Sequence, residues 1–540
     1  MSIIKLIKWL LLASLLSGAP LAVSLAEDEI GALERAGELL KSRKFSDKSQ
    51  AVELLTRDAG EPAVALLKAL LNSRLYYIKK DKQLVIIGEK SKEGYQVSDA
   101  LNHQSLGTLS KRKIKKISLN NRLRSQIRSA LAVAELRSPD GEKRLAAVNQ
   151  MLDRPKAEYA ALIEPLLEKE SDAEVRDAMA IVIALANLDA EDESARMAAV
   201  ETLDGNIHPA VRNGLKKLKQ NTDDKAFSAE IDRVLNNIDA KLQLYSLVEN
   251  LFFGLSLGSV LVLAAIGLAI TFGVMGVINM AHGELIMIGA YTTYVIQLLM
   301  PDNIAASVIV AIPAAFVVSG LVGIAIERGV IRFLYGRTLE TLLATFGISL
   351  ILQQTVRSIF SPLNRSVETP AWMSGTWEIN SALSLTMNRL YIILFCLLVF
   401  AALFVVLKRT RLGLQVRAVS QNRAMARAMG VRSEWVDAMT FGLGSGIAGV
   451  AGVALSQLTN VGPNLGQSYI IDSFMVVVFG GVGNLWGTLV GGMTLGVANK
   501  FLEPWSGAVL AKILVLVFII LFIQKRPRGL FPQKGRAAEG

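Results

Sequence analysis

Apolar and polar positions divide this chain into two unlike stretches that meet near Leu244. Before that point Leu and Ala return at three- and four-residue steps with charged residues between them, the period of amphipathic helices. After it, charges withdraw into short clusters, and apolar runs occupy residues 247–275, 283–300, 303–326, 338–360, 390–407, 434–458, 468–482, 485–502 and 508–524. A helix needs roughly 20 apolar residues to cross a hydrocarbon core, so the pattern predicts an all-α chain whose second stretch is polytopic, with about eight to ten spans. The seventh and eighth runs are short and glycine-rich, which leaves a re-entrant pair open.

The first stretch carries related phrases. Gly141-Glu142-Lys143-Arg144-Leu145-Ala146-Ala147-Val148, Ala173-Glu174-Val175-Arg176-Asp177-Ala178 and Pro209-Ala210-Val211-Arg212-Asn213 each put an arginine in a helix start, at intervals of roughly 30 to 40 residues that suit stacked helical pairs of HEAT type. Such a stack would leave an extended face for another molecule; a helical bundle without a binding face is the alternative. From 75 to 98 the helical period fails, and Tyr76-Tyr77-Ile78 with Leu84-Val85-Ile86-Ile87 reads as a small β-hairpin insertion. The basic run 111–116 reads as a solvated face.

Lys5 and Lys8, an apolar stretch over 9–16 and the small residues of Ser24-Leu25-Ala26 follow a secretory pattern, which predicts a signal peptide at 1–26 removed after Ala26. An uncleaved anchor helix is the alternative. The expected organisation is then a secreted helical domain at 27–240, a membrane domain at 245–530 and a tail at 531–540. A secreted first domain makes the first span run inward. On that count the inner segments hold Arg328, Arg332 and Arg337, then Lys408, Arg409, Arg411, Arg417, Arg423, Arg427 and Arg432, then Lys525, Arg526, Arg528, Lys534 and Arg536. Outer loops hold little beyond Arg365 and Arg389, so the positive-inside bias agrees with the signal peptide. Membrane topology thereby accounts for much of the net charge of +11 without nucleic acid. One cysteine, Cys396, rules out an intrachain disulfide, and His103 and His208 stand alone, so no metal site is expected.

Candidate chemistry lies between the first two apolar runs, at Ile278-Asn279-Met280-Ala281-His282-Gly283-Glu284. An ionisable group at lipid depth costs about 2.5 to 3.5 kcal/mol, so Glu284 needs a bundle interior or an aqueous cavity. Gly283 is a candidate helix break that would let Asn279 and Glu284 share one cavity. Gly444-Ser445-Gly446-Ile447-Ala448-Gly449 has the letters of a dinucleotide fingerprint but no preceding strand, and reads instead as small residues for close helix packing in lipid. No phosphate loop of the Walker type occurs, so a pump built on this chain would borrow ATP hydrolysis from elsewhere. Residues 410–431 are helix-forming, with Gly430 placed as a C-terminal cap and Met425, Met429 and Val431 available to a partner's groove; a basic helix resting on lipid headgroups is the alternative.

Ala424 to Gly430 followed by a long span resembles the coupling loop of ATP-binding-cassette importer permeases. The resemblance is closest to the branched-chain amino acid class, on Gly276-Val277-Ile278-Asn279-Met280-Ala281-His282-Gly283-Glu284, Ala290-Tyr291 and Arg526-Pro527-Arg528-Gly529-Leu530-Phe531. Within that class the chain resembles the permease subunit of urea importers, on Leu343-Ala344-Thr345-Phe346-Gly347-Ile348-Ser349-Leu350-Ile351-Leu352-Gln353-Gln354, on Asn460-Val461-Gly462-Pro463-Asn464-Leu465-Gly466-Gln467-Ser468-Tyr469 and on the secreted extension. The acidic residue conventional in the coupling signature is not obvious, since Gln421-Asn422-Arg423 precede Ala424.

The resemblance implies a multi-pass permease of the bacterial inner membrane that is not itself an enzyme and binds no cofactor. Its implied partners are a second permease subunit, two cytoplasmic ATPase subunits that use ATP, a periplasmic substrate-binding protein and the lipid bilayer. The coupling loop would present Arg417, Arg423, Ala424, Met425, Ala428, Met429 and Gly430. Urea is neutral and densely hydrogen-bonding, so its pathway needs donors and acceptors. Asn279, His282, Glu284, Thr345, Gln353, Gln354 and Asp472 are the polar residues nearest lipid depth, though each can equally bond a neighbouring helix. A permease for branched-chain amino acids or another small amide, a passive channel, and a sensor or scaffold built on the helical extension remain open.

Overall fold

A computed structural model describes residues 33–57, 61–91, 94–101, 104–110, 112–152 and 155–532. The expected signal peptide, His103 and the tail from 533 lie outside the described residues. The chain divides into two units, Met1–Lys241 and Leu242–Gly540.

In the first unit, helical residues 33–40 precede α1 (Phe45–Arg57) and α2 (Glu61–Leu71). The hairpin expected from sequence is present, as β1 (Leu75–Ile78) against β2 (Leu84–Ser91) with Leu75 opposite Ile86. It is part of something larger, because β3 (Gly94–Asp99), β4 (Ser105–Leu109) and β5 (Ile114–Lys116) complete an antiparallel sheet of order β4-β3-β2-β1-β5. Part of the basic run is therefore a strand: Ile114 is buried, while Lys115 and Lys116 pair with Tyr77 and Tyr76.

Six helices follow, α3 (Asn121–Glu135), α4 (Gly141–Leu152), α5 (Ala157–Leu167), α6 (Ala173–Asn187), α7 (Glu193–Thr202) and α8 (Pro209–Gln220). Asn120, Asp172 and Asp192 cap their helices by accepting from backbone N–H groups that the first turn leaves unpaired. The arginine contact that recurs is at Arg144 and Arg196, not at all three arginines of the sequence phrases. Nη1 of Arg144 donates to the Ser138 and Pro139 carbonyls at 2.9 and 3.1 Å, and Nη1 of Arg196 to those of Ala190 and Glu191 at 3.0 and 3.3 Å.

Arg144 also grips Glu170 with two bonds of 2.7 Å. That hydrogen bond, helped by the Asp172 N–H and opposed by burial, holds the Glu170 carboxyl below its ordinary value of 4.5. The pair's stabilisation is therefore complete above that ordinary value and fades as pH falls through the lower folded value. Hydrogen exchange of the detergent-solubilised chain should show α4 and α6 losing protection in acid, and Glu170→Gln should flatten that dependence.

In the second unit, six of the described helices are long and apolar enough to cross a membrane. They are α9 (Lys225–Met275), α11 (Ile304–Gly329), α12 (Thr338–Phe360), α13 (Met387–Arg409), α16 (Ser433–Ser456) and α18 (Leu485–Lys525). The boundary between the units falls inside α9. All nine apolar runs fall in helices, the second forming α10 (His282–Leu299) and the seventh α17 (Gln467–Gly480). The 14 residues of α17 extend about 21 Å, short of a hydrocarbon core of about 30 Å. The eighth and ninth runs merge in α18 across a kink at Gly507, whose φ is +77°.

Almost every residue of α16 is buried, because α9, α10 and α11 all pack onto it through small residues. A Cβ added at Gly444 would lie 2.7 Å from the Gly267 carbonyl oxygen, and one at Gly289 would collide with that of Gly449. The fingerprint-like glycines are thus sites of backbone contact between helices.

Loops of this unit fall into two groups. In one, Gln297 and Glu368 exchange bonds of 2.9 and 2.7 Å, and Arg365 and Val461 exchange backbone bonds of 2.7 and 2.8 Å. This group includes a hairpin of β6 (Thr376–Asn380) and β7 (Leu383–Thr386) that sequence reading did not find. In the other, Arg328 approaches Glu434 at 3.9 Å, Val274 packs on the cluster of Val416, Val419, Ala426 and Val436, and Leu530 and Phe531 bond back to Phe479 and Gly480.

Candidate functional site

Between α9 and α10 the chain leaves helical geometry at Gly276, whose φ of +66° is a conformation that side chains resist. Gly283, expected as the break, lies inside α10; its lack of a side chain lets the Gly466 carbonyl approach. Residues 276–281 are irregular, and Asn279 stabilises them by accepting from the Ala281 N–H at 3.0 Å through Oδ1. This turn places Glu284 in the first turn of α10, where the helix terminus favours a carboxylate.

Facing it is α12, with Thr341, Thr345, Ser349 and Gln353 buried at four-residue intervals on one side. That period keeps them in one row, since residues four apart share a helix face. The Met280 N–H donates to Thr345 Oγ1 at 3.2 Å. Ser349 Oγ and Gln353 Nε2 donate to Glu284 Oε1 at 2.9 and 2.7 Å. Ser349 is the midpoint of the 23 residues of α12, so the carboxylate sits near mid-span.

Glu284 and Asn279 are each 1% exposed. Glu284 Oε2, Asn279 Nδ2 and the Tyr291 hydroxyl find no hydrogen-bond partner among the described residues. Tyr291 continues the line along α10, with its ring 4.7 Å from that of Phe360. The seam between α10 and α12 therefore holds a spare carboxyl oxygen and a spare hydroxyl, and the turn that leads into it holds a spare amide donor. Buried polar atoms left without partners cost about 1 to 3 kcal/mol each, which makes this seam a candidate for taking up a further partner.

Of the seven pathway residues read from sequence, the seam unites Glu284, Thr345 and Gln353, and Asn279 lies in the turn that leads into it. Three lie elsewhere. His282 faces α9 and donates Nε2 to the Ala264 carbonyl at 2.8 Å. Gln354 is exposed, about 100° around α12 from its buried neighbour Gln353. Asp472 pairs with Lys512 at 3.1 Å, between α17 and α18. Ser349 and Tyr291 were not among the candidates, although the Thr-Thr-Ser-Gln period of α12 was available to find the former.

The 410–431 segment forms two helices where one was expected, α14 (Arg411–Gln421) and α15 (Arg423–Ala428). Asn422 breaks the run with φ −154° and caps α15 by accepting from the Met425 N–H at 2.9 Å. Gly430 ends it as expected, with φ +86°, and the Val431 N–H closes back on the Ala426 carbonyl at 3.0 Å. Arg417 donates to the Leu407 carbonyl and so folds α14 back along the end of α13.

Ala426 is buried among Val416, Val419 and Val436, whereas Ala424 and Ala428 are exposed together with Met425 and Met429, at 60% and 79%. Beside α15 lies an open groove of ≈ 320 Å³ lined by Leu412, Gln415, Gly430, Arg432, Trp435, Val436 and Met439. The segment thus presents a small, firmly capped helix that exposes Met425 and Met429 beside its arginines.

Residues 250–523 match the family model described as the permease component of branched-chain amino acid transport systems. The chain is 31% identical over 301 residues to the high-affinity branched-chain amino acid transport system permease protein BraD of Pseudomonas aeruginosa, covering 53% of this chain and 96% of that one. It is 31% identical over 293 residues to the corresponding LivH protein of Salmonella typhimurium, covering 52% and 94%. It is also 25% identical over 282 residues to the ribose import permease protein RbsC of Escherichia coli, covering 51% and 84%. No solved structure matches the chain.

Proposed function

Because the chain belongs to the family of branched-chain amino acid transport system permease components, we propose that it is the membrane-spanning subunit of an ATP-driven importer, that the α10–α12 seam lines its solute pathway, and that its solute is urea. Similarity to permeases named for branched-chain amino acids and for ribose leaves the solute to the site itself. The observation that carries the reading is the pair of spare atoms at Glu284 Oε2 and Asn279 Nδ2. A small neutral amide offers N–H groups to the first and a carbonyl to the second, replacing the water it leaves behind.

The loop grouping supports the orientation. One group gathers Arg328, Arg337, Arg411, Arg423, Arg427 and Arg432, and by the positive-inside bias this face is cytoplasmic. It is also where α15 exposes Met425 and Met429, a surface suited to docking in a groove of a partner ATPase. The first unit then lies on the periplasmic side, and its successive capped helices support a HEAT-type stack. A second permease and a periplasmic binding protein would complete the assembly.

The test is uptake by proteoliposomes holding this chain with its partner subunits and binding protein. Radiolabelled urea should accumulate only with ATP, and unlabelled urea should compete where leucine does not. Competition by leucine alone would replace urea with the branched-chain reading, and flux without ATP would replace both with a channel. Met429→Glu, which puts a charge on the exposed apolar face, should cut ATP-driven uptake at least about tenfold, equivalent to 1.4 kcal/mol of lost coupling.

A further inference from the structure

The cytoplasmic-side arginines do more than set charge. Arg423, the first residue of α15, sends Nη2 to Asp437 Oδ1 of α16 at 2.6 Å, and the Asp437 side chain is only 5% exposed. The same guanidinium lies 4.0 Å from the centre of the Tyr335 ring, a stacked contact that a planar cation makes well. Tyr335 belongs to the short linker ahead of α12. One side chain therefore touches three elements: the exposed helix α15, the buried helix α16 and the approach to α12.

That approach is tied to its helix. Thr341 Oγ1 donates to the carbonyls of Arg337 and Leu334 at 2.8 and 3.2 Å, so the linker and the first turn of α12 form one piece. From there the helix runs without a recorded break to Ser349 and Gln353, which hold Glu284. Its anchoring is light. Leu339, Leu343, Ile351 and Ile359 on its outer side are all more than 60% exposed, whereas α16 is enclosed from Thr440 onward and exposes only Glu434, Trp435 and Met439 near its start. Arg423 thus bridges α16 and the approach to α12, and α12 is the less enclosed of the two helices.

Resting on the importer reading above, we propose that Arg423 is a positioning residue that hands displacement of α15 to α12 through Tyr335, so that docking on the cytoplasmic face alters the hydrogen bonds around Glu284. Asp437 holds the guanidinium in place against α16, and Tyr335 is the surface it pushes. Arg427 supports the same attitude of α15, since its Nε donates to Ser433 Oγ at 2.6 Å. Two discrete arrangements of α12 relative to α16 would then carry the signal between sites.

The experiment uses the full complex in proteoliposomes and reads solute taken up per ATP hydrolysed. Tyr335→Leu should lower that ratio about tenfold while ATP hydrolysis continues. Tyr335→Phe, which keeps the ring, should restore it, and Arg423→Lys, which keeps the charge toward Asp437 but loses the plane, should fall between. Spin labels at Leu343 on α12 and Met439 on α16 should report a distance change on ATP binding in the native complex, lost in Tyr335→Leu and regained in Tyr335→Phe. A native ratio in Tyr335→Leu, or a distance change that survives in it, overturns the proposal while leaving the importer reading intact. Absence of any ATP-driven uptake by the native complex overturns both.

Discussion

Replacing Glu284 by alanine should reduce the initial rate of solute uptake by about 10- to 100-fold, because the two hydrogen bonds lost are worth about 0.5 to 1.5 kcal/mol each and the spare Oε2 goes with them. The substitution removes both the oxygen that Ser349 and Gln353 share and the spare Oε2 beside it. Glu284→Gln separates the two roles. Its amide keeps a carbonyl oxygen for Ser349 and Gln353 but presents an NH2 where the carboxylate offered an acceptor. If Glu284 only fastens α10 to α12, glutamine restores uptake and alanine lowers the yield of folded protein instead of the rate per molecule. If Oε2 receives the solute's N–H, both variants fold and both fail, with the loss appearing in uptake normalised to transporter recovered from the vesicles.

Much of the membrane architecture is legible in the sequence because lipid imposes one strong requirement, apolar length, and the nine runs all fall in helices even where one of them, α17, is too short to cross. What length does not give is azimuth. His282 and Glu284 stand two residues apart, about 200° around a helix, and so share depth without sharing a face. A smaller rotation, about 100° for adjacent residues, already separates exposed Gln354 from buried Gln353. Sequence depth therefore gathered seven polar residues where the structure brings three into the seam and a fourth, Asn279, into the turn beside it. The four-residue row on α12 was the missing discriminator, since it records azimuth as well as depth.

Shorter signals were harder to read. Strands β3, β4 and β5 span only six, five and three residues and mix Gly, Ser and Lys with few β-branched positions, so their pairing is decided by the sheet they join. The break at Asn422 is of the same kind. An asparagine inside a helix-forming run is ambiguous until its side chain is seen to cap the next turn. Gly430, by contrast, was readable because the end of a helix in a left-handed conformation selects glycine so strongly.

The second large effect lies in the packing of α16. Gly289→Val should leave little folded second unit. A Cβ there would strike the carbonyl oxygen of Gly449, and the opposing element is backbone, which cannot rotate aside as a long side chain would. Overpacking in a tight interior costs about 1 to 3 kcal/mol and more when the backbone itself must shift, a large part of a typical total of about 5 to 15 kcal/mol. Gly347→Ala is the matched control, since a Cβ on that residue of α12 meets nothing within 4 Å. It should leave stability unchanged or slightly higher, because alanine is preferred to glycine in a helix by about 1 kcal/mol. The comparison is made by the recovery of monodisperse protein in detergent and its melting temperature. Equal behaviour of the two variants would mean that α10 and α16 do not meet through these glycines, and the position of Glu284 against α12 would then need another support.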